Sequence, residues 1–234
     1  MAKKGGITMR IGIMVATKPE LEPFIRKFGS PAVRFCRKNS FDVMKWSYGP
    51  RHSVFLILSG VGEIASAMSA QYLIDCFHVD GIINYGVAGG LHQDTDAGKL
   101  GIVEKVIHTD FDITLSGKHV IGEYPNGVGP LIAPKENFVP DQFINHLPRF
   151  ICASADKFIG AGEPKQRLRR EFNADICEME AAGVLFTCNR NNTPVTLIKA
   201  VSDGMDEDSD AFNCNVYRAS LSCVKIIESF VHSY

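Results

Sequence analysis

Apolar residues fall in short continuous runs along this chain, broken by polar or glycine-rich stretches. Residues 10–16 (RIGIMVA) form the first run, and a run of this length ending at a turn reads as a buried strand. Pro19 then stands in the first turn of a helix that carries Leu21, Phe24, Ile25 and Phe28 at helical spacing. Residues 41–48 and 53–58 read as two strands joined through the turn pair Gly49-Pro50. Ser59-Gly60-Val61-Gly62 leads into an alanine-rich helix over 63–77. Residues 80–85 form another strand, closed by a turn at Gly86-Val87-Ala88-Gly89-Gly90, and 101–107 a further one. The stretch 109–150, rich in Gly, Pro and Asn, predicts loops with one short helix near 137–147. Strands at 150–155 and 195–201, a short apolar segment at 176–179, and helices at 163–172, 180–191 and 212–232 complete the pattern. Alternation of this kind predicts one α/β domain over 9–234, a largely parallel or mixed twisted sheet flanked by helices, with residues 1–8 as a flexible leader.

Composition narrows the function classes. The net charge is −1 and no face is evidently basic, which argues against an electrostatic nucleic-acid binder. The densest basic run, Lys165, Arg167, Arg169 and Arg170, reads as a solvated helix face. No apolar stretch approaches the roughly 20 residues of a membrane span, and no signal peptide is indicated. Seven cysteines, an odd number without a CxxC pair, point to reduced thiols in a cytoplasmic protein. No cluster has zinc-ligand spacing, and none of the seven histidines is assigned a role.

Candidate chemistry gathers at predicted strand ends, where ligands bind in open α/β sheets. Four loops fall there: 17–20, 59–62, 86–90 and 202–206. Ser59-Gly60-Val61-Gly62 lacks the third glycine of a dinucleotide fingerprint and reads as a tight turn whose backbone approaches something closely. The glycines of 86–90 would let N–H groups face a ligand. Glu178 and Glu180, two apart at a strand end, would point the same way, and a carboxylate accepts two ribose hydroxyls at once. Asp203, at a strand end in an apolar surround, would suit an acid. Glu20 would suit a general base. Read singly, each acidic residue is as well explained by a helix N-terminus, cap or turn.

Jointly these loops resemble the nucleoside phosphorylase and nucleosidase superfamily, most closely the bacterial methylthioadenosine/S-adenosylhomocysteine nucleosidases. RIGIMVA, SGVGEIASA at 59–67, INYGVAGGL at 83–91, ICEMEAAGV at 176–184 and IKAVSDG at 198–204 stand in that family's order and spacing. The resemblance implies a mixed, partly barrel-like sheet and an enzyme that cleaves the N-glycosidic bond of a purine nucleoside without metal or cofactor. By position it implies Asp203, helped by Ser202, as the acid at purine N7, and Glu180 with the backbone near Met179 on the ribose hydroxyls. Phe158 and Ile159 would stack the base and bond its edge, Phe212 would line the ribose 5′ end, and Glu20 would activate water. Glu178, Val61, Val87, Ala88, Gly89 and Lys199 complete the expected substrate-binding set.

Three positions depart from the nucleosidase pattern. Val87 replaces a serine, Lys199 stands where arginine is common and lacks its bidentate fork, and Ala153–Phe158 differs from the usual Ser-Gly-Asp version. The phosphate loop and arginine of the phosphorylases are absent, with Asn84-Tyr85 at the arginine's place. Water is therefore the expected nucleophile. A phosphorylase and a non-catalytic nucleoside binder are the alternatives. The region 109–127 resembles the family's interface segment and implies a homodimer.

Overall fold

A computed structural model describes residues 8–36, 41–48, 52–207 and 209–233. The leader expected at 1–8 therefore lies almost wholly outside the described residues, as does the expected Gly49-Pro50 turn. Nine strands and six helices follow one another in the described chain: β1 (Met9–Val15), α1 (Lys18–Phe28), β2 (Val33–Cys36), β3 (Asp42–Tyr48), β4 (His52–Leu58), α2 (Glu63–Phe77), β5 (Gly81–Gly90), β6 (Leu100–His108), α3 (Asp141–Ile144), β7 (Arg149–Ser154), α4 (Glu163–Phe172), β8 (Ile176–Glu178), α5 (Ala181–Asn191), β9 (Val195–Asp203) and α6 (Ser209–Val231).

The sheet runs β2-β3-β4-β1-β5-β8-β7-β6-β9, and β9 also pairs with β5. That last pairing closes β5, β8, β7, β6 and β9 into a ring, so the mixed sheet is partly barrel-like, with β1–β4 as an open wing. β1 lies parallel to β4 and β5, and β5 parallel to β9, while β8 runs antiparallel to β5. Side chains alternate along the central strands as the two-residue period demands. Ile83, Tyr85 and Val87 of β5 face one core layer, completed by Phe24 of α1 and Val224 and Ile227 of α6. Ile82 and Ala88 face the other, completed by Leu73 of α2 and Val184 and Leu185 of α5.

Four local expectations need correction. Residues 86–90 form no closing turn; β5 runs on through them to Gly90. Glycine there makes room rather than a bend: a Cβ on Gly86 would sit 2.6 Å from Glu20 Oε1, and one on Gly89 3.2 Å from Asp203 Oδ2. Ser202 and Asp203 likewise belong to β9 rather than to a loop after it. The helix expected near 137–147 shrinks to the four residues of α3, and β2 is an additional edge strand. Finally, Lys165 is not on a solvated face. It shares the inward side of α4 with Leu168, three residues on, and is fully buried, while Arg167 and Arg170 pair with surface glutamates.

Candidate active site

The carboxyl ends of β1, β5, β8 and β9 meet around a cavity of about 280 Å³, with loops from β4 and β7 and one residue of α6 at its rim. Its wall is mostly apolar, the composition usual for small-ligand sites. Glu20, Glu180 and Asp203 all line it.

Glu20 sits at the third position of α1, where Thr17 caps the helix. Its Oε2 accepts from the Thr17 N–H at 2.9 Å and the Thr17 hydroxyl at 2.6 Å. Its Oε1 accepts from the Val87 N–H at 2.9 Å, and the Tyr85 hydroxyl donates to its backbone carbonyl at 3.1 Å. The helix-start reading thus holds for one oxygen, which the capping box fixes, while the other accepts from β5 at the cavity wall.

Glu178 and Glu180 both line the cavity but are held by different partners. Glu178 ends β8 and pairs with the fully buried Lys199 at 2.8 Å; it also accepts from the N–H groups of Glu180 and Ala181 at the start of α5. Burial alone would raise its carboxyl, but the Lys199 charge and hydrogen bond outweigh that and hold it below the usual range. Glu180, the residue before α5, accepts from the Gly62 N–H at 3.1 Å. Burial first, and then the Glu178 charge, push its carboxyl up to about 7. The tight β4–α2 turn therefore does bring backbone close to something: Gly62, at φ +104°, would put a Cβ 2.7 Å from Asp156 Oδ1.

A third carboxyl, Glu63, stands just behind the cavity wall. The Ser154 hydroxyl contacts both Glu63 Oε1, in a short hydrogen bond, and Glu178 Oε1 at 2.6 Å. One hydroxyl carries one hydrogen, so a proton must reside on one of the two carboxyls. Glu63 is the holder, since burial and then the Glu178 charge raise it to about 8.

Asp203 is not in an apolar surround. Its Oδ1 lies 2.6 Å from the Ser202 hydroxyl and its Oδ2 2.6 Å from the Lys165 ammonium. Of the expected set, Val61, Val87, Ala88, Gly89, Phe158, Ile159, Glu178, Met179 and Phe212 line the cavity as well. The Phe158 ring meets Phe212 edge-on at 5.6 Å. Ser202 and Lys199 stand behind the wall, on Asp203 and Glu178 respectively. Sequence reasoning passed over Thr17, Glu63, Ser154 and Lys165. Only the capping spacing of Thr17 to Glu20 carried a signal, because the others are brought in by strand register or helix rotation. Among the described residues, no group of three His, Cys, Asp or Glu side chains is placed to hold a metal ion, and no helix is long and apolar enough to cross a membrane.

Fold and cavity together define an α/β protein whose sheet partly closes into a ring and whose mostly apolar cavity carries four acidic side chains, Glu20, Glu178, Glu180 and Asp203. Residues 10–232 match the family model described as the phosphorylase superfamily, and the chain belongs to that family. It is 29% identical over 226 residues to the aminodeoxyfutalosine nucleosidase of Campylobacter jejuni, covering 92% of this chain and 96% of that protein. It is 32% identical over 186 residues to the 5′-methylthioadenosine/S-adenosylhomocysteine nucleosidase of Staphylococcus aureus, covering 76% of this chain and 81% of that one. The futalosine hydrolase structure from Helicobacter pylori superposes with a TM-score of 0.87 at 24% identity, covering 97% of this chain and 99% of that chain, a likeness of fold.

Proposed function

We propose that this protein is a purine nucleosidase that hydrolyses the N-glycosidic bond of a 5′-substituted adenosine. Methylthioadenosine, S-adenosylhomocysteine and aminodeoxyfutalosine, the nucleosides named for its relatives, are the first candidates. The observation that carries the reading is the convergence of Glu20, Glu180 and Asp203, from three separate parts of the chain, on one cavity. Base loss passes through an oxocarbenium-like state, and a wall richer in carboxylates than in cations stabilises that positive charge. Ionised Glu180 accepts the ribose hydroxyls. Asp203, ordered by Ser202, gives N7 its proton, because a purine leaves poorly as an anion. Glu20 takes a proton from water on the far side of the ring. Phe158 and Ile159 hold the base, and Phe212 borders the 5′ substituent.

The same reading makes the enzyme a cytoplasmic homodimer. Ile64 and Met68 are largely exposed on α2, and Leu115 and Val120 are exposed in the 109–127 segment, with exposed Leu131 just beyond it. An apolar surface of that kind fits burial against a second copy.

The decisive assay measures base release from adenosine, inosine and 5′-thio- and 5′-aryl-extended adenosines, with and without phosphate. Free base and free ribose formed at equal rates in both conditions are expected. Strict phosphate dependence with ribose 1-phosphate as product would make the enzyme a phosphorylase, and tight purine binding without turnover a binder.

A further inference from the structure

Among the described residues Lys165 is one of two lysines whose side chains are buried, and the mechanism above does not use it. Its ammonium has three donors and three acceptors: Asp203 Oδ2 at 2.6 Å, the Gly204 carbonyl at 2.5 Å and the Asp203 carbonyl at 3.3 Å. The side chain is closed to bulk solvent. Burying an ammonium is costly, and a carboxylate in contact offsets much of that cost. Lys165 Nζ is thereby the proton donor in contact with the carboxyl that faces the cavity.

We propose that Lys165 is the positioning and proton-supplying partner of Asp203. The inference rests on Asp203 being the group that protonates the base. As the C1′–N9 bond breaks, its electron pair stays with the purine. N7 takes a proton from Asp203, which takes one from Lys165 Nζ across the 2.6 Å contact. Water's oxygen bonds to C1′ and its spare proton goes to Glu20. After product leaves, water in the emptied cavity takes the proton from Glu20 and returns one to Lys165 through Asp203, which lines that cavity, so the enzyme returns to its starting state. Among the described residues, the other ionisable groups near the pair are Cys177 and Glu178 of β8, and Asp96 and Glu207 beside Gly204. Cys177, pushed up to about 12 by burial, stays neutral and does not compete for the proton.

The test is the pH profile of kcat and kcat/KM for base release by wild type, K165M, K165R and D203N, and by the double variant K165M/D203N. In K165M, Asp203 must carry its own proton. The alkaline limb should then move to lower pH by at least about one unit, and kcat near neutral pH should fall roughly tenfold or more with KM little changed. K165R keeps the charge but holds its proton too tightly to give it, so it should be no better than K165M. In the D203N background K165M should cost nothing further, since Lys165 acts only through Asp203. A wild-type profile in K165M, or full activity in K165R, overturns the proposal. D203N at wild-type rate removes Asp203 and Lys165 together, as does a wild type that releases no base. A normal K165M beside an inactive D203N removes Lys165 alone. If K165M does not fold, K165Q, which still offers donors to the two carbonyls, replaces it under the same criteria.

Discussion

Glu20, Glu63 and Glu180 show how little a residue type says before its surroundings are known. In its proposed role Glu180 acts ionised, and its carboxyl is raised to about 7. Activity should therefore fall as pH drops below about 7, and E180Q should abolish that acid limb along with most of kcat/KM. For Glu63, the folded-state value of about 8 lies above the ordinary 4.5. The folded protein then holds a proton that the unfolded chain releases between those values, so this group's contribution to stability declines as pH rises through that window. Because E63Q carries no titrating proton, it should raise Tm at pH 8.5 by roughly 3 °C, about 1 kcal/mol at this chain length, and lose that advantage near pH 5. Calorimetry at both pH values checks the sign. An equal shift at both would mean that Glu63 does not hold the proton.

At the scale of elements, β5 carries the site because it lacks side chains where other groups must approach. In G86A the new methyl would fall 2.6 Å from Glu20 Oε1 and push that carboxylate off the Val87 N–H. The expected result is a loss of kcat on the order of 10²-fold, the scale of a displaced general base, in a protein that still folds. An unaltered rate would show that Glu20 is not held where its role requires. These glycines were visible in the sequence, but their meaning was not. A Gly-rich pentad after an apolar run reads as a turn, and only the neighbours Glu20, Cys177 and Asp203 reveal close approach along a continuous strand. The basic run in α4 misled for a similar reason. Four cations within six residues suggest a solvated face, but helical rotation sends Lys165 inward with Leu168 and leaves its neighbours outside.

For the whole molecule, the test concerns assembly. Light scattering on the purified protein should give twice the 25.7 kDa chain mass, and I64E/M68E should yield monomers. A monomeric wild type at micromolar concentration would remove the dimer from the reading. The sequence by itself determined the alternation of strands and helices, the five segments that place the chain in its family, and the identities of Glu20, Glu180 and Asp203. Those features are local, written in period, spacing and residue type. Tertiary structure decided the ring made by the β5–β9 pairing, the different partners of Glu178 and Glu180, the hydrogen bonds of Glu63 and Glu178 to one Ser154 hydroxyl and the burial of Lys165 against Asp203. Each of these depends on contacts between residues far apart in the chain, or on which side of a helix meets the sheet. Burial and neighbouring charge, not residue type, then set which carboxyl holds a proton.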